Sequence, residues 1–147
     1  MLQGFHWYSE GNATLYDNTK NSADYLKEMG ISSIWLPPAY KGSGGGHSVG
    51  YDPYDLFDLG EFEQKETIAT KYGTKEQYLQ CCKTLQKKGI SVIVDIVLNH
   101  KAGGDEKERF NVVKVDENNR QQNISEPFEI ESYTKFTFPG RGKKYSK

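Results

Sequence analysis

The sequence contains no long hydrophobic run, and this absence excludes one class of protein. No apolar stretch approaches the roughly 20 residues that a membrane-spanning helix needs, so we expect no membrane partner. The amino terminus also lacks a basic region followed by an apolar segment. The sequence therefore shows no signal peptide, unless one has already been removed.

Neither sign of charge is in excess, and cysteine is scarce. The 147 residues carry 19 basic and 20 acidic side chains, and a chain without a basic face is a poor candidate for binding nucleic acid. Cys81 and Cys82 are adjacent on a predicted helix, where they point in directions too different for a disulfide. We interpret both as core or helix-flank residues. Two thiols without a disulfide framework favour a reducing compartment, so we predict a cytoplasmic protein. The alternative is a secreted protein whose signal peptide has been removed.

The most informative stretch is the apolar, β-branched run at residues 90–98, which leads directly into Asn99 and His100. A run this short between glycines predicts a fully buried strand of a parallel sheet. Its one acid, Asp95, needs a partner, because an unpaired buried carboxylate is unfavourable. We therefore expect a site at the carboxyl end of this strand. The alternative is that Asp95 caps a turn or pairs with a structural arginine.

Two earlier strand-helix units precede this run. We predict strands at residues 2–8 and 31–36, with a helix capped at Asp17 or Asn18 between them. A second helix opens with a capping box at residues 74–77 and leads into the strand at 90–98. The βαβαβ order predicts an α/β fold with parallel strands.

The segment from residue 39 to 73 is too long for a plain connection, and we expect it to be functional. Residues 50–56 interleave aromatic and acidic side chains, which suits sugar binding: rings stack on pyranoses and carboxylates bind hydroxyl groups. The alternative is that Tyr51 and Tyr54 only hold the loop in place. The glycine run at 42–46 lacks the Lys-Ser/Thr pair and the helix of a phosphate-binding loop, so we predict a flexible tip there.

The character of the sequence changes near residue 101. Polar and charged residues dominate from there on, and residues 112–115 and 135–138 predict short antiparallel strands. We place a domain boundary at this point.

Five stretches in register carry a resemblance to one protein family. They are residues 2–8, 35–42, 50–62, 70–74 and 95–101, and residues 138–142 and 145–146 also fit. The last of the five begins at Asp95 and ends in Asn99-His100-Lys101, which is similar to the signature Asp-x-x-x-Asn-His. Together they resemble the α-amylases of the retaining glycoside hydrolase superfamily, in particular the bacterial liquefying and cytoplasmic types.

The resemblance implies a fold and an activity. The family's fold is a (β/α)8 TIM barrel, which typically takes about 250 residues. Residues 1–100 would supply its first three strands and two helices, and residues 101–147 would begin domain B, a loop-rich excursion that contains β-structure. The implied activity is endo-hydrolysis of α-1,4-glucosidic bonds in starch or glycogen, with retention. The family's nucleophile and acid/base carboxylates are expected beyond Lys147, so we expect no catalytic carboxylate in this chain.

The resemblance also implies roles for five residues. His100 would hydrogen-bond the sugar at the cleavage subsite, Tyr51 would stack on that sugar, and Trp7 would line the same pocket. Asp95 would support the site by orienting its neighbours, including an arginine from a later strand. Asn99 would bind a calcium ion that ties domain B to the barrel, because its side-chain oxygen suits a hard cation.

Three other functions stay open at this point. An α-glucan transglycosylase or isomerase of the same superfamily shares the early motifs. A non-catalytic barrel relative would lack the catalytic acids, but such a protein has no need to keep His100, Asn99 and Tyr51 together. A generic calcium-stabilised domain would rest on Asn99 alone.

Overall fold

Short strands and helices alternate along residues 1–145, the part of the chain that the computed structural model describes. Ser146, which carries part of the resemblance, and Lys147 lie outside the described residues. The elements are β1 (Leu2–Gln3), α1 (Leu15–Asn21), α2 (Ala23–Glu28), β2 (Ser33–Leu36), β3 (Lys41–Gly42), β4 (Pro53–Asp55), α3 (Lys75–Lys87), β5 (Ser91–Val94), β6 (Glu106–Val112) and β7 (Phe128–Lys135). In this part of the chain no helix combines the length and the hydropathy that a membrane crossing requires.

Strands β1, β2 and β5 form a parallel sheet with β2 in the middle, which confirms the predicted strand directions. Ile34 pairs with Leu2 on one side and with Val92 on the other. β1 is shorter than the predicted strand at 2–8, because the chain turns soon after Gln3. Both the N–H and the hydroxyl of Ser9 donate to the carbonyl of His6 and close this turn.

β5 differs from the fully buried strand that the sequence predicts. Ile90, just before it, is buried, whereas Ile93 and Val94 are 40% and 47% exposed. Among the described residues β5 is an edge strand, so β2 covers only one of its sides. The strand ends at Val94 because the backbone beyond it takes another partner: the N–H of Val97 donates to the Tyr40 hydroxyl at 2.9 Å.

The helices pack on the sheet face that carries Ile34 and Leu36, both fully buried. α3 opens with the predicted capping box, in which the Thr74 hydroxyl accepts from the N–H of Gln77 and the Gln77 side chain accepts from the N–H of Thr74. Other buried members of this core are Tyr16, Ala23, Tyr78, Cys81, Leu85 and Ile90. Cys81 is buried on α3 and Cys82 half-buried, and both are free thiols, as expected.

The first helix begins earlier than predicted. α1 starts at Leu15, so Thr14 takes the N-cap position that we assigned to Asp17 or Asn18. The Asp17 carboxylate lies inside the helix, where it accepts from Lys20 and from the Gln77 side chain of α3, each at 2.6 Å. The role of Asp17 thus depends on Gln77, a tertiary partner that the local sequence pattern does not show.

The chain divides into two compact units. Residues 1–102 and 138–145 belong to the first, and Gly103–Thr137 form the second. Our division into residues 1–100 and 101–147 stays a prediction about the whole protein. It differs from these units chiefly at residues 138–145.

The second unit is built on an antiparallel ribbon of β6 and β7. The ribbon overlaps the strands predicted at 112–115 and 135–138 only at Val112 and Lys135, so the antiparallel pairing was predicted but its position along the chain was wrong. Its strands carry alternating charges that pair across the ribbon, such as Lys107 with Glu131 at 3.3 Å. The opposite face carries the Phe110–Ile130 pair. An exposed ribbon needs only one apolar face, so its hydrophobic signal is weak.

Candidate functional site

Asp95 is the residue around which the predicted site is arranged. It directly follows β5 and is half-buried. Its Oδ2 atom accepts hydrogen bonds from the Tyr51 hydroxyl at 2.7 Å and from the Trp35 indole N–H at 3.1 Å. The partners that we expected for this carboxylate are thus two neutral donors of the first unit.

Tyr51 contacts the other predicted aromatic residue through its ring. The rings of Tyr51 and Trp7 are parallel to within 1°, with centroids 6.2 Å apart. Trp7 is 59% exposed, whereas Tyr51 is half-buried, so the Trp7 ring faces solvent beside the more enclosed Tyr51 ring. Desolvation raises the pKa of Tyr51, and the hydrogen bond to Asp95 and the carboxylate's charge raise it further. The phenol therefore stays protonated and keeps its donor role.

His100 approaches the backbone of the same tyrosine. Its Nε2 atom lies 2.9 Å from the Tyr51 carbonyl oxygen, and since a carbonyl can only accept, Nε2 carries the proton. The imidazole itself is exposed. Ring, hydroxyl and carbonyl of Tyr51 thus contact Trp7, Asp95 and His100, and the structure brings these four predicted residues together.

The loop that carries Tyr51 is held from both sides. Gly50 has a φ of +96°, and a Cβ atom there would lie 2.5 Å from the Cβ of Pro38, so only glycine fits. On the other side Asp52 accepts from the hydroxyl of Ser43 at 2.7 Å, from that of Ser48 and from the N–H of Gly44 at 2.9 Å. The glycine run that we expected to be a flexible tip is thereby anchored to the residue after Tyr51.

A buried tyrosine also holds this loop through a hydrogen bond to its backbone. The Tyr72 hydroxyl donates to the carbonyl of Val49 at 3.1 Å, and the residue is 1% exposed. Burial, with a smaller contribution from the charge of Asp95, raises the pKa of Tyr72 to about 12. The Tyr72 phenol therefore stays neutral at physiological pH and keeps this donor role.

Asn99, the predicted metal ligand, is exposed and takes no part in these contacts. Among residues 1–145, no cluster of at least three His, Cys, Asp or Glu side chains is arranged to hold a metal ion. Calcium takes about six to eight oxygen ligands. The described residues therefore do not form a calcium site by themselves.

Trp35 is a site residue that the sequence analysis missed. A signal for it was present: Trp35 pairs with Ile93 in the parallel sheet, and Asp95 lies two residues beyond Ile93. Side chains two apart on a strand point to the same face. The predicted strands therefore contained the information that Trp35 and Asp95 share a face.

A buried polar cluster in the first unit was also missed. Lys41 is fully buried, and its ammonium group donates to the carbonyls of Phe62, Thr67 and Ile68 at 3.0, 2.7 and 2.6 Å, respectively. Asp58 lies 3.5 Å from the same ammonium. Burial lowers the pKa of Lys41, and the charge of Asp58 opposes this effect. One ammonium group thus organises the segment 62–68.

The second half of the cluster anchors the segment that begins at Phe138. The Nε atom of Arg141 lies 2.6 Å from Asp55 Oδ2, and both side chains are almost fully buried. Gln64 donates to Asp55 and to Asp58, at 3.0 Å in each case, and so joins the two halves. These carboxylates are enclosed by donors, so their role is structural.

The family of the chain follows from comparison with known proteins. Residues 19–139 match the family model described as "Alpha amylase, catalytic domain". This match includes most of the described part of the chain, together with Tyr51, Asp95, Asn99 and His100.

Three relatives illustrate the similarity. A cytoplasmic alpha-amylase of Escherichia coli (strain K12) is 49% identical over 99% of this chain, which spans 30% of that protein. An alpha-amylase of Geobacillus stearothermophilus is 47% identical over 99% of this chain, which spans 26% of it. Among solved structures, an alternansucrase in complex with isomaltononaose matches 90% of this chain and 12% of its own, with 27% identity and a TM-score of 0.71.

Proposed function

The chain belongs to the alpha-amylase catalytic domain family, and from this premise we propose that the protein containing it hydrolyses internal α-1,4-glucosidic bonds of starch or glycogen, with retention. The observation that carries the proposal is the arrangement around Tyr51, which joins an exposed aromatic surface to a carboxylate and an imidazole. The chain spans under a third of the two amylases that it matches, so the activity is that of the whole protein.

The residues described here would bind and orient the sugar. Tyr51 and Trp7 would offer aromatic surface to the apolar face of a pyranose. His100 would accept a hydrogen bond from a sugar hydroxyl through Nδ1, because its Nε2–H already donates to the Tyr51 carbonyl. Asp95 would hold the Tyr51 hydroxyl in place. We propose that the nucleophile and the acid/base carboxylate come from residues beyond 147, since retention needs two such groups on opposite sides of the bond.

The three parallel strands support a place at the start of a barrel. We propose that they are the first strands of a (β/α)8 barrel and that the second unit begins domain B. Asp95 directly follows the carboxyl end of β5, and barrel enzymes place their chemistry at this end of their strands, which supports the proposal.

We also propose that Asn99 is one ligand of a calcium ion whose other ligands lie elsewhere in the protein. A calcium chelator should then lower the melting temperature of the complete protein, and an Asn99→Ala variant should require more calcium to recover it. Unaltered calcium dependence in the Asn99→Ala variant would contradict this role.

We also propose a cytoplasmic location, which the name of the Escherichia coli relative supports.

The experiment for the main proposal measures products. The complete protein should lower the viscosity of soluble starch faster than it releases reducing ends, and proton NMR should show the α-anomer first. The alternative is an α-glucan transglycosylase or isomerase, which the similarity to an alternansucrase keeps open. It would instead yield rearranged or lengthened glucans from maltooligosaccharides. A protein with neither activity would contradict both proposals and favour a non-catalytic relative.

A further inference from the structure

Trp35 and Tyr51 donate to the same oxygen of Asp95. The indole N–H lies 3.1 Å and the phenol 2.7 Å from Oδ2. The two donors come from different parts of the chain, one from the middle strand of the sheet and the other from the long loop. The carboxylate therefore links a fixed element to the loop that carries the sugar-facing ring.

The position of Trp35 in its strand sets it apart from its neighbours. Ile34 and Leu36 point to the helices and are buried, whereas Trp35 points to the other face and is half-buried. Phe5 packs edge-on against the indole, with centroids 5.2 Å apart and an interplanar angle of 85°. The ring is thus confined by β2 and by Phe5, and its N–H is aimed at Asp95.

Two donors restrict a carboxylate more than one does. The terminal torsion of an aspartate is broad, and a tyrosine hydroxyl also rotates about its own bond. With Tyr51 alone, both groups could turn together. The indole N–H has a fixed direction in its ring, so it holds Oδ2 at one point in space. Both donors are neutral, and neither cancels the negative charge of Asp95.

We propose that Trp35 is a positioning residue for the reaction: it fixes Asp95, and through Asp95 it fixes Tyr51. This inference rests on the proposed hydrolysis of α-glucans. Loss of the indole N–H should therefore loosen the sugar-facing ring, although Trp35 itself need not contact the sugar.

The kinetic test uses Trp35→Phe in the complete protein, which keeps an aromatic ring but removes the donor. We expect kcat on soluble starch to fall roughly tenfold with little change in KM, because alignment at the cleaved bond suffers more than binding of the long polymer. Ile34→Val, a packing change on the opposite face of the same strand, should lower the melting temperature but leave kcat unchanged. Equal kcat losses in the two variants would show a purely structural role.

A double-mutant cycle tests the route through Asp95. In an Asp95→Asn background, Trp35→Phe should cause less than a twofold further loss of kcat, because the oxygen that it positions is already altered. If the two losses multiply as independent effects, the proposed route is wrong.

A final measurement separates this inference from the proposed function. The indole N–H resonance of Trp35, assigned by its absence in Trp35→Phe, should move upfield in Asp95→Asn. A resonance that stays in place would overturn the inference whether or not the protein cleaves starch. If the resonance moves but the protein does not cleave glucans, the hydrogen bond between Trp35 and Asp95 is supported and the proposed function is contradicted instead.

Discussion

The imidazole of His100 donates to the backbone carbonyl of Tyr51 at 2.9 Å. The two residues are 49 positions apart, yet this bond aligns the imidazole with the ring that we assign to sugar stacking. A backbone acceptor has a practical consequence: side-chain substitutions at Tyr51 leave the His100 contact in place. The two roles can therefore be tested separately.

His100→Ala in the complete protein should weaken transition-state binding more than folding. Loss of one strong hydrogen bond to the sugar corresponds to about 1.5–3 kcal/mol, or roughly a ten- to hundredfold loss of kcat/KM on starch. His47→Ala removes another exposed imidazole and serves as the control. Unchanged kcat/KM for His100→Ala would refute its role.

Tyr51→Phe and Tyr51→Ala should differ in size of effect. The first removes only the hydroxyl that binds Asp95, and we expect a loss of about tenfold in kcat/KM. The second also removes the aromatic surface and should cost about tenfold more. Tyr8→Phe, at a tyrosine that is 85% exposed, should leave kcat/KM unchanged. Equal losses for the two Tyr51 variants would contradict the stacking role.

Asp55→Asn should lower stability sharply, because it leaves the buried Arg141 guanidinium without its carboxylate. Breaking a buried ion pair typically reduces the free energy of unfolding by about 3–5 kcal/mol. Thermal or denaturant unfolding of the complete protein measures the change. Lys88→Gln, which removes an exposed pair with Asp24, should leave the melting temperature nearly unchanged. Similar shifts of the melting temperature in the two variants would show that the buried Asp55–Arg141 pair stabilises the protein no more than an exposed pair does.

The Asp52 carboxylate should make loop stability depend on pH. Partial burial raises its pKa, but hydrogen bonds from Ser48, Ser43 and Gly44 outweigh burial and hold the pKa below its ordinary value. The folded state thus favours the charged form, and this contribution is present above the unfolded-state pKa of about 4. It is lost as the pH falls through the lower folded-state pKa.

The comparison with Asp52→Asn measures this contribution. The melting temperature of the unsubstituted protein should exceed that of the variant at pH 7, and the difference should shrink toward pH 3. Glu66→Gln, at an exposed carboxylate, provides the control and should show little difference at any pH. A difference between protein and Asp52→Asn variant that grows in acid would contradict the assignment.

Local sequence patterns were sufficient where the determining contacts are local. The capping box at Thr74 and Gln77 involves groups three residues apart, and the structure contains it as predicted. The parallel strands also followed from the chain, because a helix between two strands returns the chain in the same direction. The resemblance identified Tyr51, Trp7, Asp95 and His100 as one group, although their roles remain predictions.

Only the tertiary structure decided which groups face one another across the fold. The donation from Trp35 to Asp95 joins residues 60 positions apart, and the pair of Arg141 with Asp55 joins residues 86 apart. Neither pairing has a local periodicity, since each depends on where separate segments pack. The same reason explains Asp17, which the local pattern predicted at a helix cap. It lies within α1 instead, and its carboxylate accepts a hydrogen bond from Gln77 of α3. Patterns along the chain specify elements and their faces, whereas the partner of a polar side chain is chosen when those faces meet.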